Sequence, residues 1–485
     1  MARDLVNNPY ASPLREVWAV AWPTVLTMTS FTVMQFVDQL MVGQVGPTEI
    51  AAQGSGAIWA FVPLSFSMGM LTIVNTWVSQ NVGAGRLKET SVYGWTAVWM
   101  SIAIWLIVLL PWALLLPWFF QLVHPDASED LLRMEVQYGQ ILMIGGGFTL
   151  AARGIHQFFF GTLRPLVVTV SVVCANIVNI VLSYILIFGE AGLPELGLPG
   201  IPGVEPMSVA GAAWGTVAGV SVEFLIPMVV FLGPSLHKKY GTRSTWRPQW
   251  RPIRNVLRLG WPSALQWGNE IVCWSLFMTV LVGRFGEASL TAGWICLSWM
   301  RMSFMPATGF AVAAKSLVGR YIGGGKPDTA ASRARLSVGV TMAYMTVCAG
   351  LFIVFRHEMI ELFIGGDTSP EEAQRIIEIG ATLMFVVALF QTIDALGIVY
   401  SGALGGAGDV IWPGVLTVVY AWGPLVLGGW LLAVYVPQWG ATGPWIAAAG
   451  YVILLGFTMA WRFERGRWRS ITLIEPTRPS PETHS

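Results

Sequence analysis

The chain has 485 residues, of which 54% are hydrophobic and 11% are charged, and its formal net charge at pH 7 is +1. Soluble domains carry about 25% charged residues, so this composition excludes an ordinary soluble protein. A net charge near zero without a basic region gives no reason to expect a nucleic-acid partner. The composition predicts an all-α integral membrane protein that lies in a lipid bilayer.

Twelve apolar runs follow one another along the chain, each close to the roughly 20 residues that cross a bilayer as a helix. We expect spans at about 16–44, 50–78, 92–120, 136–161, 165–189, 207–233, 255–283, 289–317, 334–356, 377–404, 411–436 and 441–462. Most lysines and arginines fall in loops on the same side as the N-terminus. Because positive charge marks the cytoplasmic side, we expect both termini in the cytoplasm. The expected membrane is the plasma membrane, or the inner membrane of a Gram-negative cell.

Two glycine motifs recur 240 residues apart. LMVGQVG ends the first run and VLVGRFG ends the seventh, which pairs Gly43 with Gly283. VGAGR after the second run and IGGGK after the eighth pair Gly83 with Gly323. Each copy has an even number of spans, so both copies enter the membrane from the same side. We therefore predict a parallel repeat of two six-helix bundles, related by a pseudo-two-fold axis along the membrane normal.

This repeat divides the chain into four expected regions: an N-terminal bundle at 1–236, a cytoplasmic linker at 237–254, a C-terminal bundle at 255–470 and a disordered cytoplasmic tail at 471–485. Repeats of this kind place a binding site near mid-membrane and operate by alternating access. The enzyme motifs HExxH and GxSxG are absent from the sequence. We expect a transporter rather than an enzyme, with no cofactor.

Four carboxylates lie well inside the predicted spans, where an ionised acid costs about 3 kcal/mol or more and usually marks an ion or substrate path. They are Asp38, Glu223, Glu270 and Asp394. A structural role is the alternative for each of them, and for Glu223 it is an equal alternative. At the repeat offset Asp38 aligns with methionine and Glu270 with serine. The two bundles are therefore expected to hold different chemistry.

Two tryptophans flank Glu270 at helical spacing, Trp267 three residues before it and Trp274 four residues after it. Two indoles and a carboxylate can bind a lipophilic cation through cation–π attraction and charge. Gln266 and Asn269 would add polar contacts. The alternative is that these tryptophans, two of 24 in the chain, serve only packing or the membrane interface.

Several motifs resemble the multidrug and toxic compound extrusion (MATE) family, and especially its NorM-like branch. They are FVDQLMVGQVG, QNVGAGR, NIVNIVLSYILIFG, GAAWGT, WPSALQWGNE, VGRYIGGGK and DALGIVYSGALGGAGD, and they lie between about residues 16 and 462. The resemblance implies a secondary antiporter that expels small, drug-like organic cations in exchange for Na⁺ or H⁺. We expect it to act as a monomer.

The resemblance also implies site residues in the N-terminal bundle. Asp38, Asn179 and Thr216 match the cation-site positions of the family and would bind Na⁺ if Na⁺ is the coupling ion. Ser183 stands where the family often has a second asparagine, so the site keeps an oxygen and loses an amide. The sequence leaves Na⁺ and H⁺ open, and the NorM-like resemblance favours Na⁺.

In the C-terminal bundle Glu270 and Asp394 match the acidic pair of the family, which serves the coupling cation or the substrate. Arg301 lies in the middle of the eighth span, where we expect a neutral residue. An unpaired guanidinium in hydrocarbon is costly. We therefore expect Arg301 to form an ion pair with Glu270 or Asp394 in at least one conformational state, or to contact an anionic or zwitterionic group of the substrate.

Two other functions remain as alternatives. A lipid-linked sugar flippase of the wider superfamily would need a cationic groove for pyrophosphate, for which Arg153 and Arg301 are the candidates. A non-transporting membrane protein, such as a receptor or an intramembrane enzyme, is the second alternative. His156 is the one histidine in a predicted span, and we expect it to have a hydrogen-bonded packing role rather than a catalytic one.

Overall fold

The computed structural model describes residues 12–125, 127–193, 199–364 and 369–474. Within these ranges the dominant structure is helical, and the long helices are separated by tight turns and short helices. The expected tail at 471–485 lies outside the described residues from 475 onward.

Six long helices make up the first half of the chain. They are α1 (Pro13–Gly43), α2 (Pro47–Leu71, continued by Ile73–Gly83), α3 (Leu87–Val123), α4 (Glu129–Gly161), α5 (Pro165–Phe188) and α6 (Ser208–Leu232). The short helix α7 (Pro234–Tyr240) follows and ends in the segment that we predicted to be a linker.

Six more long helices make up the second half. They are α8 (Trp250–Leu276), α9 (Glu287–Gly323), α10 (Pro327–Val354), α12 (Pro370–Ala407), α13 (Ile411–Tyr435) and α14 (Thr442–Glu464), with the short α11 (Arg356–Glu361) between α10 and α12. Nine of the twelve described long helices are long and apolar enough to cross a membrane by length and composition alone. The other three, α4, α8 and α9, include Arg153, Glu270 and Arg301. The predicted fold class is confirmed.

Several helices are longer than the predicted spans. The helix α4 begins at Glu129 rather than near residue 136, and α12 begins at Pro370 rather than near 377. A serine caps each start, because the hydroxyl oxygens of Ser128 and Ser369 accept a backbone N–H three residues later at 3.3 Å. Hydropathy detects only the apolar part of a helix, whereas the cap determines where the helix starts.

The repeated glycine motif forms the same turn twice. Gly85 after α2 and Gly325 after α9 have φ angles of 74° and 70°, in the left-handed region that favours glycine. The residue after each glycine donates its backbone N–H five residues back, at 2.9 Å in the first copy and 2.8 Å in the second. The repeat found in the sequence is therefore also a repeat of local structure.

The described chain forms two compact units. The N-terminal unit comprises residues 26–82 and 86–264, and the C-terminal unit comprises residues 12–25, 83–85 and 265–474. These limits differ from the expected bundle limits at 236 and 255. The helix α1 changes unit after Val25 and α8 changes unit after Ala264, so each division follows a proline closely, Pro23 or Pro262. Hydropathy could not predict this, because a helix can change packing partners without changing its composition.

A buried acid attaches the first turns of α1 to other helices of the C-terminal unit. Glu16 is 2% exposed and accepts hydrogen bonds from Arg333 Nε at 2.6 Å and from the Tyr321 hydroxyl at 2.5 Å. A buried carboxylate needs such donors to compensate for its lost hydration. These contacts attach the start of α1 to α9 and α10.

Candidate functional site

Polar side chains of the N-terminal unit meet around Asp38, which is 7% exposed. The Asn179 amide nitrogen lies 3.4 Å from Asp38 Oδ2, and the Thr216 hydroxyl lies 3.3 Å from the same oxygen. The Ser183 hydroxyl lies 3.5 Å from Asp38 Oδ1. The structure thus brings together the four residues that the resemblance assigns to the N-terminal cation site, while their role stays a prediction.

Glycines on α6 allow this close approach. A Cβ at Gly215 would lie 2.2 Å from the Ser183 hydroxyl oxygen, and a Cβ at Gly219 would lie 2.9 Å from Asn179 Cβ. Small residues four apart let two membrane helices pack with their backbones close together. The sequence GAAWGTVAG therefore brings the α5 side chains within reach of Thr216 and Asp38.

The spacing of these oxygens suits a bound cation better than a direct hydrogen-bond network. Hydroxyl–oxygen hydrogen bonds are usually about 2.7–2.8 Å long, whereas the Ser183 and Thr216 hydroxyls lie 3.5 and 3.3 Å from the Asp38 carboxylate. A hard cation about 2.4 Å from each oxygen ligand spaces neighbouring oxygens by about 3.4 Å.

One oxygen at this site is unpartnered among the described residues. Asn179 Oδ1 is buried and accepts no hydrogen bond there. Rotating the amide by half a turn would direct Oδ1 toward Asp38 and the two hydroxyls, where it could join them as a cation ligand. The described residues hold no group of three or more His, Cys, Asp or Glu side chains that could bind a metal ion. One carboxylate with neutral oxygens is a donor set for a monovalent hard cation.

In the C-terminal unit the carboxylate of Glu270 on α8 accepts a hydrogen bond from Tyr451 on α14. The Tyr451 hydroxyl donates to Glu270 Oε1 at 2.8 Å, and Tyr451 is 2% exposed. Asp394 on α12 lies close enough for its charge to interact with that of Glu270. Neither hydropathy nor motif spacing identifies Tyr451, although it is a lone phenol within the apolar run AAAGYVILLGF.

The residue next to Glu270 is held by a tryptophan of α13. Trp422 Nε1 donates to Asn269 Oδ1 at 2.7 Å. Trp422 lies in a π-helical segment of α13, Ala421–Gly428, which contains Pro424. A proline lacks the N–H that continues a regular helix, and such wide turns often occur at functional sites. Asn269 Nδ2 is buried without a hydrogen-bond partner among the described residues.

The aromatic cage expected around Glu270 is not formed by two facing indoles. Trp274 packs in the core, with its ring centroid 5.4 Å from Phe277 and 6.5 Å from Trp445. Trp267 is 45% exposed. Within the described residues no ring contact joins Trp267 to Trp274, so their substrate-binding role stays a prediction, as does that of the half-buried Gln266.

Among the described residues Arg301 has no ion pair in this conformation, so its pairing with Glu270 or Asp394 stays a prediction for another state. Its side chain is exposed on α9, and within the described residues it makes no ion pair or hydrogen bond, with either Glu270 or Asp394. Hydropathy places Arg301 at mid-helix, but it does not tell which side of the helix faces the acids.

The other arginine considered for a cationic groove is paired. Arg153 Nη1 lies 3.1 Å from Glu223 Oε1, and Glu223 is 2% exposed. A pyrophosphate groove that required both arginines would therefore have to give up this pair. The contact also supplies the partner for Glu223 that the sequence did not identify.

A helical membrane protein with carboxylates among polar side chains inside the long helices of each half belongs to the class of membrane transporters. The MatE family model matches residues 23–185 and 270–427. The chain therefore belongs to the MatE family, as the motifs predicted, and it is a transporter rather than an enzyme.

Curated relatives match along almost the whole chain. The probable multidrug resistance protein NorM of Burkholderia pseudomallei is 26% identical over 449 residues, which is 92% of this chain and 91% of that protein. The multidrug resistance protein MdtK of Edwardsiella ictaluri is 26% identical and covers 95% of this chain and 96% of its own length.

Solved structures show the same fold. An outward-facing multidrug resistance MATE family transporter of the MOP superfamily superposes with a TM-score of 0.83 at 17% identity, covering 97% of this chain and 98% of its own. A MOP superfamily transporter from Pyrococcus furiosus, described as having a binding pocket of reverse polarity, also gives 0.83 at 17% identity and covers 95% and 97%.

Proposed function

We propose that this protein is a multidrug efflux antiporter that exports lipophilic organic cations in exchange for Na⁺. Relatives named multidrug resistance proteins over more than nine-tenths of the chain support the multidrug efflux activity. The proposed location is the plasma membrane, with both termini in the cytoplasm.

The observation that carries the choice of Na⁺ is the geometry around Asp38. Hydroxyls lie 3.3 and 3.5 Å from its carboxylate oxygens, and a buried Asn179 oxygen accepts no hydrogen bond among the described residues. A proton would need only the carboxylate, whereas Na⁺ uses several oxygens at such spacing.

The organic cation is proposed to bind at Glu270 and Asp394. Two carboxylates within electrostatic reach of each other favour a positive ligand, which reduces their mutual repulsion. A drug cation and a coupling cation that favour opposite states of the transporter exchange when the protein alternates its access. The residues of the protein need only bind and release the two cations and keep water out of the closed side.

The deciding experiment measures ethidium efflux from proteoliposomes with a Na⁺ gradient and a pH gradient imposed separately. We expect the Na⁺ gradient alone to drive efflux. Efflux driven by the pH gradient alone would replace Na⁺ by H⁺ in the proposal. Absence of efflux across a broad panel of cations, under both gradients, would overturn cation export.

Asp38→Asn should fold and lose Na⁺-driven efflux, because it keeps the side-chain shape but removes the charge that binds the cation. Asn176→Ala is the matched control. Asn176 lies on α5 as Asn179 does, but its amide donates to the Ser30 carbonyl at 2.9 Å rather than to Asp38. This control should retain coupled efflux.

A further inference from the structure

A second cluster of ionisable side chains is buried in the N-terminal unit. Glu223 of α6 and His156 of α4 are each 2% exposed, and Arg153 of α4 is 19% exposed. Arg153 Nη1 lies 3.1 Å and His156 Nδ1 lies 3.6 Å from the same carboxylate oxygen, Glu223 Oε1. Two groups therefore share one oxygen of a buried acid.

The contact between Arg153 and Glu223 is incomplete for a structural ion pair. Strong arginine–carboxylate pairs are commonly bidentate, but Glu223 Oε1, which lies 3.1 Å from Arg153 Nη1, accepts no hydrogen bond of good geometry among the described residues. Arg153 Nε is buried without a hydrogen-bond partner among the described residues. The guanidinium carbon lies 3.8 Å from the centre of the Phe31 ring, so a cation–π contact holds its other face.

Both ring nitrogens of His156 face oxygen atoms. Nδ1 faces Glu223 Oε1, and Nε2 lies 3.5 Å from the Ser171 hydroxyl oxygen. That hydroxyl donates its own hydrogen to the Val168 carbonyl at 2.8 Å, so it has only a lone pair to offer His156. A neutral imidazole has one N–H and a protonated one has two. The surroundings of the ring can therefore accommodate an additional proton.

The cluster lies on the same helices as the Asp38 site. On α1, Phe31 comes seven residues before Asp38, and on α6, Glu223 comes seven residues after Thr216. Seven helical residues extend about 10.5 Å. The cluster is therefore about two helical turns from Asp38, toward the C-terminal end of α6.

We propose that Arg153, His156 and Glu223 form a proton-binding site in the N-terminal unit, and that a proton there opposes cation binding at Asp38. With a neutral imidazole, the charges of Arg153 and Glu223 cancel. A proton taken from water by His156 or Glu223 gives the cluster a net charge of +1. At about 10 Å inside a protein, one such charge weakens binding of a cation by about tenfold.

Most ionisable groups on the helices packed against α6 and α4 lie near helix ends. The short α7 carries His237, Lys238 and Lys239 beyond the end of α6, and α3 carries Lys88 and Glu89 in its first turn. On α5 the half-buried thiol of Cys174 is the only ionisable group besides the tyrosine near its end, and on α2 the only acid or base is Glu49 in the first turn. On α4, the acids and bases other than Arg153 and His156 lie at or before Glu135, near its start. The proton is therefore assigned to His156 and Glu223.

The test observes proton binding directly on purified, full-length protein. Histidine labelled with ¹⁵N reports imidazole protonation by NMR, and the carboxylic-acid C=O stretch reports Glu223 by infrared difference spectroscopy. His156→Gln and Glu223→Gln assign the two signals by their loss. Between about pH 5 and pH 8, the wild-type protein should show one of these groups gaining a proton. If neither group changes protonation, the proton site is overturned.

The second arm measures coupling and rests on the proposed Na⁺ site. Saturating Na⁺ should move the midpoint of the assigned titration down by about one pH unit, because a tenfold effect is reciprocal. The shift should vanish in Asp38→Asn. A proton-binding cluster that Na⁺ does not shift, in a protein whose thermal stability shows that it binds Na⁺, would overturn the coupling.

A protein that binds no Na⁺ at all would instead contradict the proposed coupling ion and leave the first arm valid. His124→Gln is the matched control, because His124 Nδ1 lies 3.1 Å from Glu135, which is 1% exposed. This pair has similar chemistry at the other end of α4. Its loss should leave the titration of the cluster and the Na⁺ shift unchanged.

Discussion

The hydroxyl of Tyr451 on α14 donates a hydrogen bond of 2.8 Å to Glu270 Oε1 on α8, and the two residues are 181 positions apart in the chain. Because Tyr451 is 2% exposed, water cannot readily replace the hydroxyl. Hydrogen bonds to a charged group contribute about 1.5–3 kcal/mol. Tyr451 therefore stabilises the negative charge that is proposed to attract the substrate.

Tyr451→Phe removes the hydrogen bond that stabilises the ionised form of Glu270. It should raise the KM for a cationic substrate by about tenfold, with a smaller effect on the maximal rate. The measurement is the concentration dependence of ethidium efflux in proteoliposomes. Tyr420→Phe is the control, since its hydroxyl lies 3.4 Å from the Thr458 hydroxyl and not at an acid. An unchanged KM in Tyr451→Phe would show that the hydrogen bond has no part in substrate binding.

Gly215→Ala should disturb the Asp38 site by separating α5 from α6. The new methyl would lie 2.2 Å from the Ser183 hydroxyl oxygen and 2.8 Å from its backbone nitrogen, and overpacking of this kind costs about 1–3 kcal/mol. Thermal unfolding in detergent should show the loss. Added Na⁺ should also stabilise the variant less than it stabilises the wild type.

Gly54→Ala serves as the control for that change. A Cβ at Gly54 would meet no described atom within 4 Å, and alanine favours a helix by up to about 1 kcal/mol over glycine. This variant should be as stable as the wild type or slightly more so. Equal losses in both variants would mean that the spacing between α5 and α6 does not determine the site.

The helices, the repeated turn and the family could be predicted because each leaves a local signal. Gly85 and Gly325 occur in equivalent motifs, and both have the left-handed backbone that those motifs require. Ser128 and Ser369 begin helices that hydropathy places several residues too late. The residues grouped around Asp38 were identified through the resemblance, because no spacing rule relates α1 to α5 and α6.

Contacts between distant helices could not be predicted in the same way. Glu16 and Arg333 are 317 residues apart, and nothing near either residue indicates the other. The partner of Glu223 was missed for the same reason. Helical periodicity tells which residues share a face, but only packing decides which two faces meet.

Glu16→Gln should destabilise the C-terminal unit by about 3 kcal/mol, because it leaves the guanidinium of Arg333, which is 14% exposed, without its charge partner. Thermal or denaturant unfolding in detergent measures the loss. The double variant Glu16→Gln, Arg333→Met should recover part of it. Asp328→Asn is the control, since Asp328 is 87% exposed in its pair with Arg469 and exposed pairs contribute about 0–1 kcal/mol. Equal effects of the buried and the exposed change would contradict a stabilising role for Glu16.

The last prediction concerns Arg301, which the sequence led us to pair with Glu270 or Asp394. In the structure its side chain is exposed, and among the described residues it has no ion pair or hydrogen bond. Removing it therefore leaves no acid without its charge partner, and Arg301→Gln should not lower the free energy of unfolding.

A double-mutant cycle decides between the two expectations for Arg301. In this conformation the effects of Arg301→Gln and Glu270→Gln on stability should add to within about 0.5 kcal/mol, as should those of Arg301→Gln and Asp394→Asn. A buried pair would instead give a coupling energy well above 1 kcal/mol, approaching the cost of an unpaired buried charge. If stability is additive while the preference among cationic, zwitterionic and anionic substrates changes, Arg301 acts on the substrate. That result would also explain why the chain keeps a positive charge in a helix where hydrophobic residues would be more stable.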